Sequence, residues 1–169
     1  MSADRGLSEM AQKYDLEMLL TKTLGIFESN LNTTIAAIQT EKNDGMVLAT
    51  IDAAAFLFLE LNGKAINYNP FFFLFIDGIE SDGQGPASVS LVNMKAILCF
   101  ADQGQDIAIG KRVLRYHRAV QETIEDNFAE IEGAVRLQVS SLVPDYLKLA
   151  NSSQLFRAVG VDIKAGIMS

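Results

Sequence analysis

The stretch DIAIGKRVLRYHRAVQETIEDNF, residues 106–128, decides the fold. It reads as one amphipathic helix. Ile107, Leu114, His117, Val120, Gln121, Ile124 and Phe128 recur at spacings of three, four and seven, so the pattern predicts that they face a core. Lys111, Arg112, Arg115 and Arg118 fall largely on the other side and are expected to face a partner. Asp106, or Asp102 before it, can cap the first turn, where an acid suits the positive helix end.

Strand-like segments flank this helix. Upstream, Ala87–Ala101 alternates through Val89, Leu91 or Val92, Met94, Ala96, Leu98 and Phe100 with a period near two, which predicts a long strand. Before it, FFFLFIDGIE (71–80) is rich in β-forming residues and reads as a strand buried on both faces in its first half. SDGQGP (81–86) joins the two as a hairpin loop. Downstream, Val135, Leu137 and Val139 alternate with Arg136, Gln138 and Ser140, predicting a half-exposed strand that Pro144-Asp145 breaks. Residues 156–167 alternate again through Val159, Val161, Ile163 and Ala165.

At the other end of the chain, residues 1–7 read as a loose polar lead. Ser8 caps a first long helix to about Glu41, with Leu16, Leu20, Leu24, Phe27, Leu31, Ile35 and Ile38 on one side. Lys42-Asn-Asp-Gly45 stops it, Gly45 suiting a left-handed turn. MVLATI (46–51) reads as a short strand, Asp52-Ala-Ala-Ala55 as a helical turn or loop, and Asn67-Tyr-Asn-Pro70 as a turn. The expectation is a single α+β domain over residues 1–169: an antiparallel or mixed sheet with two long helices packed on it.

Composition agrees with a globular chain: 169 residues, 49% hydrophobic and 21% charged. A formal net charge of −7 argues against sequence-independent nucleic-acid binding, which needs cations to replace phosphate counterions. The first residues lack the basic and apolar regions of a signal peptide, and no apolar run approaches the roughly 20 residues of a membrane span. Cys99, alone in an apolar run, excludes an internal disulfide and a thiolate zinc site.

Chemistry has few candidates. His117 is the single histidine, with no nucleophile nearby, and reads as a packed or interfacial residue. Asp77, Glu80 and Asp82 cluster near a strand end, and Glu122, Glu125, Asp126, Glu130 and Glu132 crowd the end of the central helix. Such acids can hold a cation or act as acid and base, but the simpler reading is solvated charge. Gly104 and Gly110-Lys111 have five residues between the glycines where a phosphate loop has four, and Arg112 replaces its hydroxyl. The reading is therefore not an enzyme, with no cofactor and no metal site.

The order of a long helix, Tyr68-Asn-Pro70, the strand Phe71–Ile76, the strand Val89–Phe100, the acidic loop Asp102–Asp106 and the helical segment Leu114-Arg-Tyr-His-Arg-Ala-Val120 resembles the tail-terminator and tail-completion proteins of tailed bacteriophages. The resemblance spans about residues 10–165 in the order of elements. It implies an α+β subunit without catalytic residues that closes into a homo-oligomeric ring, usually of six. The ring sits at the head-proximal end of the tail tube, stops tube growth and joins it to neck or head-completion proteins. DNA passes through such a ring without sequence-specific binding. The setting is then the virion, after assembly in the host cytoplasm, and Lys111, Arg112, Arg115 and Arg118 become candidate subunit or partner contacts. The extension 1–12 and the longer chain end depart from the shorter members and leave open another neck or head-to-tail joining role. Two other classes stand beside it: a small-molecule-binding regulatory α+β domain with a pocket near Tyr14, Phe72 and Phe100, and a small hydrolase using Asp77 and Glu80.

Overall fold

The computed structural model describes residues 16–58, 67–82, 89–102, 106–131, 134–148 and 153–168. Helix α1 spans Leu16–Lys42 and α2 Asp106–Asn127. The strands are β1 (Phe56–Phe58), β2 (Phe71–Asp82), β3 (Val89–Ala101), β4 (Ala134–Ser141), β5 (Asp145–Lys148) and β6 (Leu155–Met168). They form a six-stranded mixed sheet in the order β1-β2-β3-β6-β4, with β5 also paired to β6. β1 runs parallel to β2 and every other pairing is antiparallel. The architecture is α+β with two helices on a sheet, as the periodicities predict. The expected lead 1–7, the Ser8 cap and most of the 81–86 loop lie outside the described residues.

Both helices lie on one face of the sheet, α1 over β1 and β2, α2 over β3, β6 and β4. The reason is the pleat: Val92, Met94, Ala96 and Leu98 of β3 share a face with Phe72 and Leu74 of β2 and with Val159, Val161, Ile163 and Ala165 of β6, and all are buried. Leu19, Leu24, Phe27, Leu31, Ile35 and Ile38 of α1 close over this layer. Phe72 anchors the junction, its ring centroid 4.5 Å from Phe27 and 5.7 Å from Phe56. On the opposite face Phe71, Phe73 and Phe75 form a stacked ladder, and Phe156 meets Phe71 edge-on at 5.3 Å. The run 71–74 is thus buried on both faces, as read from the sequence.

Three expectations are corrected. Residues 46–51 form no strand. They lie extended beside the helices, and side chains replace the ladder: Gln39 Oε1 accepts from the Leu48 amide at 2.9 Å, Tyr116 Oη donates to the Ala49 carbonyl at 2.9 Å, and Asn32 both donates to and accepts from Ile51 at 2.8 Å. The short polar segment Asp145–Lys148, read only as a break, pairs with β6 as β5. The third concerns the face of α2. Its core side is Tyr116, Ala119, Val120, Thr123 and Ile124, whereas Ile107 and Leu114 are 80% and 69% exposed. The spacing of 107, 114, 121 and 128 is a heptad, which drifts about 20° per seven residues on a straight helix. Ile107 and Leu114 therefore stay on the surface, and the heptad reaches a half-buried position only at Gln121 and Phe128.

The paired bonds from Asn32 carry a test. Asn32→Leu leaves the Ile51 amide and carbonyl unpaired in a half-buried site, and is expected to cost about 2–3 kcal/mol. Urea unfolding checks it.

Candidate functional site

The sequence singled out the basic face of α2, and the structure folds it against the exit of α1. The two helices run antiparallel: Thr123 Oγ1 meets Thr34 Oγ1 at 3.2 Å, while the N-terminal half of α2 lies beside Glu41 and Asp44. The basic side chains thus gather at the C-terminal, negative end of α1. Arg115 is buried to the head group and grips Asp44 with both terminal nitrogens, one at 2.9 Å. That bidentate geometry is the stronger form of an arginine–carboxylate pair. Lys111 reaches the same carboxylate at 3.4 Å. Arg118 forks onto Glu41 at 2.9 and 2.7 Å and bonds Glu122, one turn on, at 2.6 Å. Arg112 pairs with Asp102 at 2.9 Å, and the Asp102 side chain is 1% exposed. Asp44 sits in the turn where Asn43 and Gly45 take positive φ of 40° and 77°, so the left-handed turn places the acid for Arg115.

These pairings set the ionisation. The Arg118 and then the Lys42 hydrogen bonds hold Glu41 down at about 2. Arg115 holds Asp44 well below the usual carboxylate range, and Asp44 in turn raises Arg115. A depressed carboxylate stabilises the fold above its unfolded value and loses that contribution as pH falls towards its folded one. Burial lowers the His117 imidazole, so its neutral form is favoured and protonation below about 6.5 opposes folding. All three have one sign. Stability is expected to be flat near neutrality, to decline from about pH 6.5 and to fall more steeply between about 4.5 and 2. Added salt near pH 7 should reproduce part of the lower step, because the Glu41–Arg118 pair is open to solvent. Thermal melts across pH and salt check both.

All four basic residues are therefore engaged within the chain. Their shared position at the surface is legible from spacing, but their acidic partners are not, since Asp44 and Glu41 are about 70 residues away in sequence. Lys111, with half its side chain exposed and one long contact, is the most available of the four. Beside it run the exposed apolar residues Ile107 and Leu114, with open space over Gly110 between them.

Asp77, Glu80, Cys99, Phe72 and Phe100 take structural roles. Asp77, the extra residue of a bulge between Ile76 and Gly78, pairs with Lys95 at 3.0 Å, and raises that lysine. Glu80 accepts from Asn93 at 2.9 Å and lies 3.8 Å from Lys164. The two acids thus answer separate lysines across the sheet. Cys99 is fully buried, and burial pushes its thiol up, away from reactivity. His117 is half-buried with no partner on Nε2 in the structure. Phe72 and Phe100, expected to line a pocket, are core: Phe100 packs on Tyr116 at 4.8 Å, and burial raises the Tyr116 phenol to about 12. Tyr14 lies outside the described residues. A shallow open depression is lined by Gln39, Thr40, Asn43, Gly45, Met46 and Val47, none of them charged. Among the described residues no group of three or more His, Cys, Asp or Glu is placed to hold a metal, and no helix is long and apolar enough to cross a membrane.

No protein-family model matches the sequence, and no curated protein matches it either.

Proposed function

We propose that the chain is a structural subunit of a tailed-bacteriophage particle, a tail terminator or neighbouring neck component. It acts as a homo-oligomeric ring, six-membered by resemblance, at the head-proximal end of the tail tube. The single observation that carries this reading is Leu114–Val120 in its structural setting. Tyr116, Ala119 and Val120 point into the core, Arg115 and Arg118 tie α2 to the exit of α1, and Leu114 is left outside. The segment that resembles the family is thus the one that holds the two helices together and presents an apolar residue to a neighbour.

Two kinds of contact follow within this reading. Arg112, Arg115 and Arg118 act from inside, fixing the corner that a partner meets. Lys111, Ile107 and Leu114 form the outward surface, an apolar strip with a cation beside it. Ring partners would be copies of the same chain, tube protein on one side and neck or head-completion protein on the other, with DNA passing through the opening.

The test is tube growth. Tube protein polymerising with the chain present should give short tubes of limited length, with added density at one end in negative stain. Unlimited tubes with bare ends would contradict the reading. Leu114→Glu, at an exposed position, should weaken end-binding while leaving the thermal melt within a few degrees; full end-binding would remove the strip from the contact.

A further inference from the structure

A corner projects from the sheet between β4 and β5. Between Ser141, which pairs with Val161, and Asp145, which pairs with Ala158, the chain has three residues, 142–144, where β6 has two, 159–160. The extra residue pushes Val143-Pro144 outward, as a bulge does. The Leu142 amide donates to the Gly160 carbonyl at 3.0 Å, and the Pro144 ring fixes its own φ, so the corner is held in shape. Val143 at its tip is 87% exposed. Asp145 is exposed too, and among the described residues its carboxylate accepts only the amide of Tyr146, at 2.7 Å.

The outer side of α2 has the complementary shape. Ile107, Gly110, Lys111 and Leu114 stand at i, i+3, i+4 and i+7, the four positions that frame a hole between helical side chains. Gly110 leaves its floor empty, since a Cβ there would meet nothing within 4 Å. Glycine weakens a helix interior, and no close approach among the described residues calls for one here. Val143, Ile107 and Leu114 are three of the four most exposed large apolar side chains among the described residues. Lys111 borders the hole with half its side chain in solvent. Its 3.4 Å contact to Asp44 is expendable, because Arg115 holds that carboxylate with both terminal nitrogens.

We propose that these two features join copies of the chain. Val143-Pro144 of one molecule seats over Gly110 of the next, between Ile107 and Leu114, with Asp145 beside Lys111. The proposal deepens the ring reading above and rests on it for the setting. A second copy is the occupant because the chain itself supplies both halves: an apolar knob with an acid two residues on, and an apolar hole with a cation on its rim. Arg157 does not oppose Lys111 there. It lies over the Tyr146 ring at 4.0 Å, and Tyr146 points to the sheet face opposite Asp145. The knob and the hole lie on different elements, so each copy gives one to each neighbour. Such a contact is head-to-tail and makes a ring where the rotation closes.

Filling the hole tests the shape. Gly110→Leu puts a good helix former in place of a poor one where the space is open, so the thermal midpoint should hold or rise. Its self-association by analytical ultracentrifugation is expected to weaken about tenfold or more, because the knob is shut out. A charge-swap mixture tests the pairing. Lys111→Glu alone and Asp145→Lys alone each oppose like charges at the contact and should associate about tenfold more weakly. In an equimolar mixture each variant meets its complement on both sides, and association should return to the wild-type range. Wild-type association by Gly110→Leu or by either charge variant would overturn the proposal. So would no recovery on mixing two folded charge variants, or an unaltered chain that stays monomeric at every concentration. The ring reading fails separately. A chain that assembles through this contact yet never caps a tube would contradict the ring reading alone, and tube capping by Gly110→Leu at the wild-type level would contradict the contact alone.

Discussion

Gly160→Ala is expected to cost about 4 kcal/mol or more, enough to leave a small domain largely unfolded. Gly160 lies in β6 between the residues that pair with β4 (161–167) and those that pair with β5 (155–158). Its carbonyl accepts the Leu142 amide at 3.0 Å, where the chain passes from one neighbour to the other. A Cβ at this position would fall inside the contact distance of the Ala96 carbonyl oxygen, with the Ala96 carbonyl carbon and the Ile97 Cα each 3.1 Å away. All three are backbone of β3, so relief requires the central β3–β6 ladder to open, which no rotamer change can spare. The reason for the glycine is this close approach of two strands. Urea unfolding with circular dichroism checks it. A loss below about 1 kcal/mol would show that the ladder bends more easily than the packing indicates.

The second large effect is expected at Phe72. Phe72→Ala should cost about 3–5 kcal/mol, because the ring is fully buried between Phe27 of α1, Phe56 of β1 and the sheet. The cavity would open where α1 meets the sheet, with Leu74, Leu98 and Ile35 among the buried residues of the same cluster. Little collapse is available in a layer held by β2 and β3 hydrogen bonds on one side and a 27-residue helix on the other. A denaturant midpoint shift of that size with an unchanged slope would support the account, while a change in slope would indicate a looser ensemble.

How much of this was legible in the sequence depends on which force sets each element. The two helices and the long strands β2, β3, β4 and β6 are set by apolar periodicity, and they form where the pattern predicts. Where side chains do the work of the backbone, pattern misleads. MVLATI has the composition of a strand, yet its polar groups are satisfied by side chains of the two helices, Asn32 and Gln39 of α1 and Tyr116 of α2, and not by a neighbouring strand. β5 is short and polar, and only its pairing with β6 makes it a strand. The orientation of α2 failed for a related reason. Ranking by hydrophobicity favours Ile107 and Leu114 over Ala119 and Thr123, and it places every arginine outside. Arg115 can be buried because Asp44 neutralises it, a partnership fixed by the turn at 43–45 and not by local spacing. The candidate site was therefore half legible: its four basic residues were identified, and their binding to Glu41, Asp44, Asp102 and Glu122 was not.

This pairing changes what a charge reversal reports. Reversing Arg112 and Arg115 together would sever two intrachain ion pairs, so lost assembly would be indistinguishable from a loosened α1–α2 corner. Leu114 is the better probe, because it is exposed and the core does not depend on it.

The central claim is assembly into a closed ring that engages a tail tube. Negative-stain microscopy with light scattering, on the chain alone and mixed with tube protein, tests it most directly. The account predicts uniform rings with a central opening, seated at one end of each tube in the mixture. A monomer or dimer at every concentration, leaving all tube ends bare, would contradict it.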